Sequence, residues 1–132
     1  MQVIVMKKTF KKEERLCSKS AIDALFHRGS SFVVYPFRVV YLFIPATSFD
    51  VKVIISVSKR RFKKAHDRNR IRRLMCEAYR LQKADILYPA LRTNNVNLQF
   101  AIQYIAKEEL PFQLIEQKMS KLLLQLKGLH HA

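Results

Sequence analysis

The chain has 132 residues, 49% of them hydrophobic, which is the length and composition of one ordinary domain with a core of its own. Its 25 Lys and Arg stand against 10 Asp and Glu, a formal charge of +15, and so self-repelling a surface calls for a polyanionic partner, nucleic acid or anionic membrane. The first apolar run, Val3 to Val5, is too short for a signal peptide or a membrane span, and Cys17 and Cys76 form no CxxC pair, so a disulfide framework and a zinc site are set aside and a cytoplasmic protein with two reduced thiols is expected.

Met6 would itself make a plausible start, which leaves the first five residues as a short extension; residues 1–8 and 128–132 are expected to be flexible. Ser18 or Ser20 can cap a first helix, roughly 18–28, whose Ile22, Leu25 and Phe26 recur at helical spacing and which Gly29 stops at the C′ position. From Phe32 to Ile44 the chain is rich in Val, Phe and Tyr. Pro36 interrupts it as a bulge or edge, so two strand segments are read there, with apolar residues on both faces.

After the turn-like stretch 45–50, Val51, Val53, Ile55 and Val57 alternate with Lys52, Ile54 and Ser56 as a strand. A second helix, about 68–82, carries Ile71, Leu74, Met75, Ala78 and Tyr79 on one face, with Asp67 at its N-cap. Residues 83–97 are left unassigned except for a turn at Asn94-Asn95. Leu98, Phe100, Ile102 and Tyr104 make the last strand. A final helix starts near Pro111 with Phe112, Ile115, Met119, Leu122, Leu123 and Leu126 as its stripe. The order α-β-β-β-α-β-α in a single domain predicts an α+β sandwich, one sheet with helices packed on it.

Between Lys59 and Arg73 there are nine basic residues, Lys59, Arg60, Arg61, Lys63, Lys64, Arg68, Arg70, Arg72 and Arg73, against the single acid Asp67. A merely solvated helix face does not need nearly all one sign, whereas neutralising phosphates does, and Arg offers a planar fork for bidentate contacts. The helical wheel sets Asn69 and Arg73 opposite the apolar stripe, with Arg70 and Arg72 on the flanks.

Ser56-Val57-Ser58-Lys59-Arg60, then Arg68-Asn69-Arg70-Ile71-Arg72-Arg73-Leu74, then Glu77-Ala78-Tyr79-Arg80 resemble the signature of the ribonuclease P protein component of bacteria. Arg15-Leu16, Leu25-Phe26, Gly29 and the final strand and helix extend the resemblance to roughly residues 9–126. The loop Arg61 to Asp67 departs from it, lacking an expected glycine and being slightly long. The resemblance implies a two-layer α/β sandwich like the second domain of ribosomal protein S5, with a left-handed βαβ crossover. It implies a subunit that binds a catalytic RNA and the 5′ leader of precursor tRNA so that the leader is cut away. The RNA-binding residues would be Lys59, Arg60, Arg61, Lys63, Lys64, Arg68, Asn69, Arg70, Arg72, Arg73 and Arg80.

It implies too a cleft between the sheet and the first helix for the single-stranded leader, with Arg15, Ile22, Phe26, Phe37, Val39 and Tyr41 as candidates; aromatic rings there could stack on unpaired bases. Ordinary core is the competing reading for those apolar residues, and the exposed sheet face stays open. No catalytic constellation is evident: Glu13, Glu14, Asp23, Asp50, Asp85, Glu108, Glu109 and Glu116 are scattered, His27 and His66 are isolated and His130-His131 end the chain, so surface roles are expected for all. In the family, hydrolysis belongs to the RNA and its Mg²⁺, so Mg²⁺ is the expected cofactor, bound mainly by the RNA, and no metal site is assigned in this chain.

A structural or ribosome-associated RNA-binding protein without a catalytic partner would share the charge and the fold. A DNA-binding helix-turn-helix needs two helices joined by a tight turn, and here the basic helix follows a strand and a long loop, so DNA is not an expected partner. A membrane-surface helix needs more cations than the 111–126 segment has, so no membrane is expected either.

Overall fold

The computed structural model describes residues 10, 12–45, 50–94 and 96–129. The expected extension and flexible ends therefore lie outside the described residues, except for Gly128 and Leu129, which close the final helix. Most of the turn after Pro45, Asn95, and the pair His130-His131 also lie outside them.

A 3₁₀ turn at Lys12–Glu14 precedes α1 (Lys19–Arg28), β1 (Ser30–Val34), β2 (Phe37–Pro45), β3 (Val51–Val57), α2 (Ala65–Ile86), α3 (Tyr88–Asn94), β4 (Val96–Tyr104) and α4 (Phe112–Leu129). This is the expected α-β-β-β-α-β-α order with α3 added, in the stretch that periodicity could not assign. Ser18 is the cap of α1, accepting from the Ala21 N–H at 3.4 Å. Gly29 ends that helix, but with φ −71 and ψ 154, an extended conformation and not the left-handed one expected of a C′ glycine. Its need is space: an added Cβ would meet Leu25 O at 2.4 Å and Tyr41 O at 2.9 Å. Pro36 occupies, with Tyr35, the turn between β1 and β2, and the Tyr35–Pro36 peptide is cis.

The four strands form one mixed sheet in the order β1-β2-β4-β3. β2 pairs antiparallel with β1 and β4, and β3 lies parallel to β4, reached through α2 and α3. Alternate side chains of a strand point to opposite faces. One face carries Phe37, Val39, Val51, Val53, Leu98, Phe100, Ile102 and Tyr104 into the main core, where α2, α3 and α4 supply Ile71, Met75, Tyr79, Leu91, Ile115, Met119 and Leu122. The other face carries Val40 and Ala101 into a small cluster with Leu16 and Leu25, flanked by Ile22, Leu42 and Ile54. The main sandwich is thus two-layered, and α1 lies on the opposite side of the sheet. No helix among the described residues is long and apolar enough to cross a membrane.

Candidate nucleic-acid interface

β3 is an edge strand, and among the described residues its outer edge meets a short parallel bridge from Arg15 to Val53, where the Leu16 N–H donates to Val53 O at 2.9 Å. Between that edge and α2 runs a groove. Its larger part, about 760 Å³, has Phe10, Leu16, Val53, Ile54, Ile55 and Cys76 as apolar lining and Arg15, Arg72, Arg73 and Arg80 as cations. A continuation of about 390 Å³ shares Ile54, Ile55 and Arg72 and adds Lys59, Arg68 and Asn69. The Arg15 guanidinium stands 5.1 Å from the centre of the Phe10 ring, a cation–π contact at the groove wall. Burial pushes the Cys76 thiol up, against the pull of Arg15 and Arg72, so it stays protonated at neutral pH.

α2 begins three residues earlier than expected. Its N-cap is Lys64, which makes no side-chain cap, and Asp67 lies in the first turn, 2.9 Å from the Arg70 guanidinium. The basic loop before it, without any glycine, is held from outside. Arg68 Nη1 donates to Phe62 O at 2.8 Å and Lys63 O at 2.9 Å, Arg61 donates to Ile105 O, and the Phe62 ring packs 6.0 Å from that of Tyr104.

The expected RNA-binding residues therefore divide. Lys59, Arg68, Asn69, Arg72, Arg73 and Arg80 border the groove. Arg60, Arg61, Lys63 and Lys64 are exposed on the loop. Arg70 turns to the far flank of α2 and meets Glu109 Oε1 with Nη2 at 2.6 Å and Nε at 3.1 Å; hydrogen bonding and charge from Glu109 push its pKa further up. Arg80 is paired with Glu77 at 2.5 Å, which holds that carboxyl below its usual range. Arg72 donates to Asn69 Oδ1 at 2.8 Å.

The leader-cleft candidates do not come together. Arg15 lines the groove, Ile22 packs in the small cluster and Phe26 is exposed on α1. Phe37 and Val39 are fully buried in the main core, and Tyr41 packs toward the same core with Phe32 and Phe43 at 5.8 and 5.6 Å. Those three share the wrong face. A one-residue offset along a strand inverts every side chain, and the β2 positions on the side of α1 are Arg38, Val40 and Leu42. Ile54, an apolar residue among the polar positions of an alternating strand, was the sequence signal for the groove floor.

Glu14 departs from its expected surface role. Its carboxylate accepts from the buried ammonium of Lys83 and from the Tyr88 hydroxyl at 2.6 Å. Among the described residues no three His, Cys, Asp or Glu gather where they could hold a metal ion.

A family model described as Ribonuclease P matches residues 10–127. A ribonuclease P protein component from Porphyromonas gingivalis is 37% identical over 118 residues, 89% of this chain and 85% of that protein. Another, from Chlorobium phaeobacteroides, is 33% identical over 87% of this chain and 86% of its own length. Among solved structures, the RNase P protein from Thermotoga maritima superposes with a TM-score of 0.66 at 21% identity, covering 85% of this chain and 96% of that one. The Staphylococcus aureus RNase P protein gives 0.60 at 21% identity, covering 87% and 95%.

Proposed function

The chain belongs to the ribonuclease P protein family, and we propose that, as the protein subunit of that ribonucleoprotein endoribonuclease in tRNA 5′ maturation, it grips the catalytic RNA with α2 and the basic loop and the single-stranded 5′ leader of precursor tRNA with the groove beside β3. The observation that carries the reading is a row of cations on α2, Arg72, Arg73 and Arg80, the last paired with Glu77, with Lys59 at the far end of the groove and Ile54 and Ile55 as apolar lining at an open strand edge. A single strand needs that combination: cations to track its phosphates and an apolar floor for its bases, without base-specific readout.

The exposed loop cations and the outer surface of α2 neutralise phosphates of the larger RNA, and most of that affinity is electrostatic and sensitive to salt. On this reading the Mg²⁺ that supports hydrolysis is held mainly by the RNA, and the protein acts by positioning substrate. Its place is the cytoplasm, with its RNA partners.

The test is cleavage of precursor tRNA by the cognate catalytic RNA at low Mg²⁺, with long-leader and leaderless substrates. Native protein should stimulate the long-leader substrate more. Ile54→Glu, which sets an acid in the groove floor, should lose that difference while still stimulating the leaderless substrate. Equal leader dependence in both proteins would remove the groove from the leader's path. Tight RNA binding with no stimulation at all would point to a structural RNA-binding protein.

A further inference from the structure

We infer that Arg68, the first residue of the Arg-Asn-Arg triplet, is a positioning residue, which holds the basic loop 58–64 in shape for the RNA and does not itself serve as a phosphate contact. The inference rests on the reading above that loop and α2 face RNA.

Five of the seven residues from Ser58 to Lys64 are basic and repel one another, none is Gly or Pro, and the loop's own turn is confined to its start, where Ser58 Oγ accepts from the Arg60 N–H at 3.2 Å and Ser58 O from the Phe62 N–H at 3.1 Å. The helix that follows has no side-chain cap at Lys64. Beside the tethers of Arg61 to Ile105 O and of Phe62 to Tyr104, the main chain at the end of the loop is held by Arg68, one turn into that helix. Its Nη1 binds the Phe62 and Lys63 carbonyls, and its backbone N–H binds the next one, Lys64 O, at 3.2 Å. The side chain thereby ties two successive carbonyls, and the third is held by the first backbone bond of the helix. Arg68 is half-buried in doing so, whereas Lys59, Arg60, Lys63 and Lys64 around it are exposed. A guanidinium turned inward onto main-chain carbonyls is poorly placed to meet a phosphate outside, while the cations it arranges are free to do so. A lysine offers one strongly hydrated ammonium in place of this planar fork.

A mutant cycle distinguishes the two roles, because residues acting through one another are not additive while independent contacts are. Affinity of the full chain for the catalytic RNA is measured for the native protein, Arg68→Ala, the Lys63→Ala/Lys64→Ala pair and the triple variant. Arg68→Ala should weaken binding by about tenfold in the native background and by less than about twofold once both lysines are gone. Amide exchange across 58–64 should quicken in Arg68→Ala while β4 stays protected. The same fold-loss in both backgrounds would make Arg68 a direct phosphate contact and overturn the inference, as would no loss in either. If the lysine pair leaves affinity unchanged, the loop is not an RNA surface, and the function reading fails with it. Should Arg68→Ala fold poorly, Arg68→Met, similar in reach but without donors, takes its place in the cycle.

Discussion

Removing either half of the Glu14–Lys83 pair should have very unequal effects on stability. The Lys83 side chain is 1% exposed, and its ammonium lies 5.4 Å from the ring centres of Phe10 and Tyr88 and 5.7 Å from that of Tyr79. Burial pushes its pKa down and the bond to Glu14 draws it back up. Glu14→Ala strands this ammonium and takes the acceptor from Tyr88; a buried charge left without its partner costs about 3–5 kcal/mol. The three ring faces return about 1 kcal/mol and the lost neutral donor costs about as much, leaving a loss of roughly 3–5 kcal/mol. Lys83→Met fills the same space with an unbranched apolar chain. The Glu14 side chain, 20% exposed, keeps water and the Tyr88 bond, so that change should cost about 1 kcal/mol or less. Urea unfolding at neutral pH measures both, and the midpoint on heating should fall by roughly 10–20 °C for Glu14→Ala. Equal losses, or a larger one for Lys83→Met, would mean that the pair stabilises the fold as a pair and that stranding the charge is not the dominant cost.

Glu109→Gln should remove the charge that Arg70 meets with Nε and Nη2 and tighten RNA binding by about threefold at low salt, in line with an exposed ion pair worth well under 1 kcal/mol; weaker binding would show instead that Glu109 aims Arg70 at the RNA. Gly29→Ala should lower stability by about 2 kcal/mol or more, read from the urea midpoint, because the new methyl meets two main-chain oxygens that cannot give way; a neutral effect would mean that the α1–β1 junction shifts freely. Stability should fall as pH rises above about 10, since Tyr79, Tyr88 and Tyr104 have folded-state pKa values raised from 10.0, so the unfolded chain releases those protons first. Lys83, lowered from 10.5, has the opposite sign below that value, but it is one group against three. A titration of unfolding free energy that still climbs through that range would contradict the burial of the tyrosine hydroxyls.

Much of this was legible from period alone. The alternation from Val51 to Val57 matches β3 to the residue, because Val51 and Val53 enter the main core while Lys52 and Ser56 do not, and the 3.6-residue stripe from Phe112 to Leu126 matches α4, which buries Ile115, Met119, Leu122, Leu123 and Leu126 along one face. β2 was harder for the opposite reason: Val39 and Val40 are both buried, each in a different core, and a strand apolar on both faces does not say which face stays open. The strand candidates for the leader cleft, Phe37, Val39 and Tyr41, accordingly lie on the main-core side of the sheet and not on the side of α1. The capping preference of Asp67 lost to a longer-range effect, since α2 starts at an uncapped Lys64 once Arg68 ties down the loop from the far side. Glu14 and Glu109 carried no local signal at all. Each meets its partner across 69 and 39 residues of sequence, a pairing that only the fold creates.

The same reasoning bears on why a triplet so compact in sequence need not be one contact in space. Neighbouring helix residues point about 100° apart, so Arg68, Asn69 and Arg70 cannot present side chains to the same spot. Arg68 faces back onto the loop, Asn69 lines the groove and steadies Arg72, and Arg70 reaches across to the segment before α4. Arg68 and Arg70 tie the start of α2 to different neighbours, the loop behind it and the β4–α4 connection opposite, while Asn69 between them borders the groove and bonds within the helix. Residues that meet the groove together are instead spaced at three and four, Asn69, Arg72, Arg73, Cys76 and Arg80, as one flank of a helix requires. Changes at Arg72, Arg73 and Arg80 should therefore act alike on a single strand in the groove, whereas changes at Arg68 and Arg70 should each act differently from them and from one another.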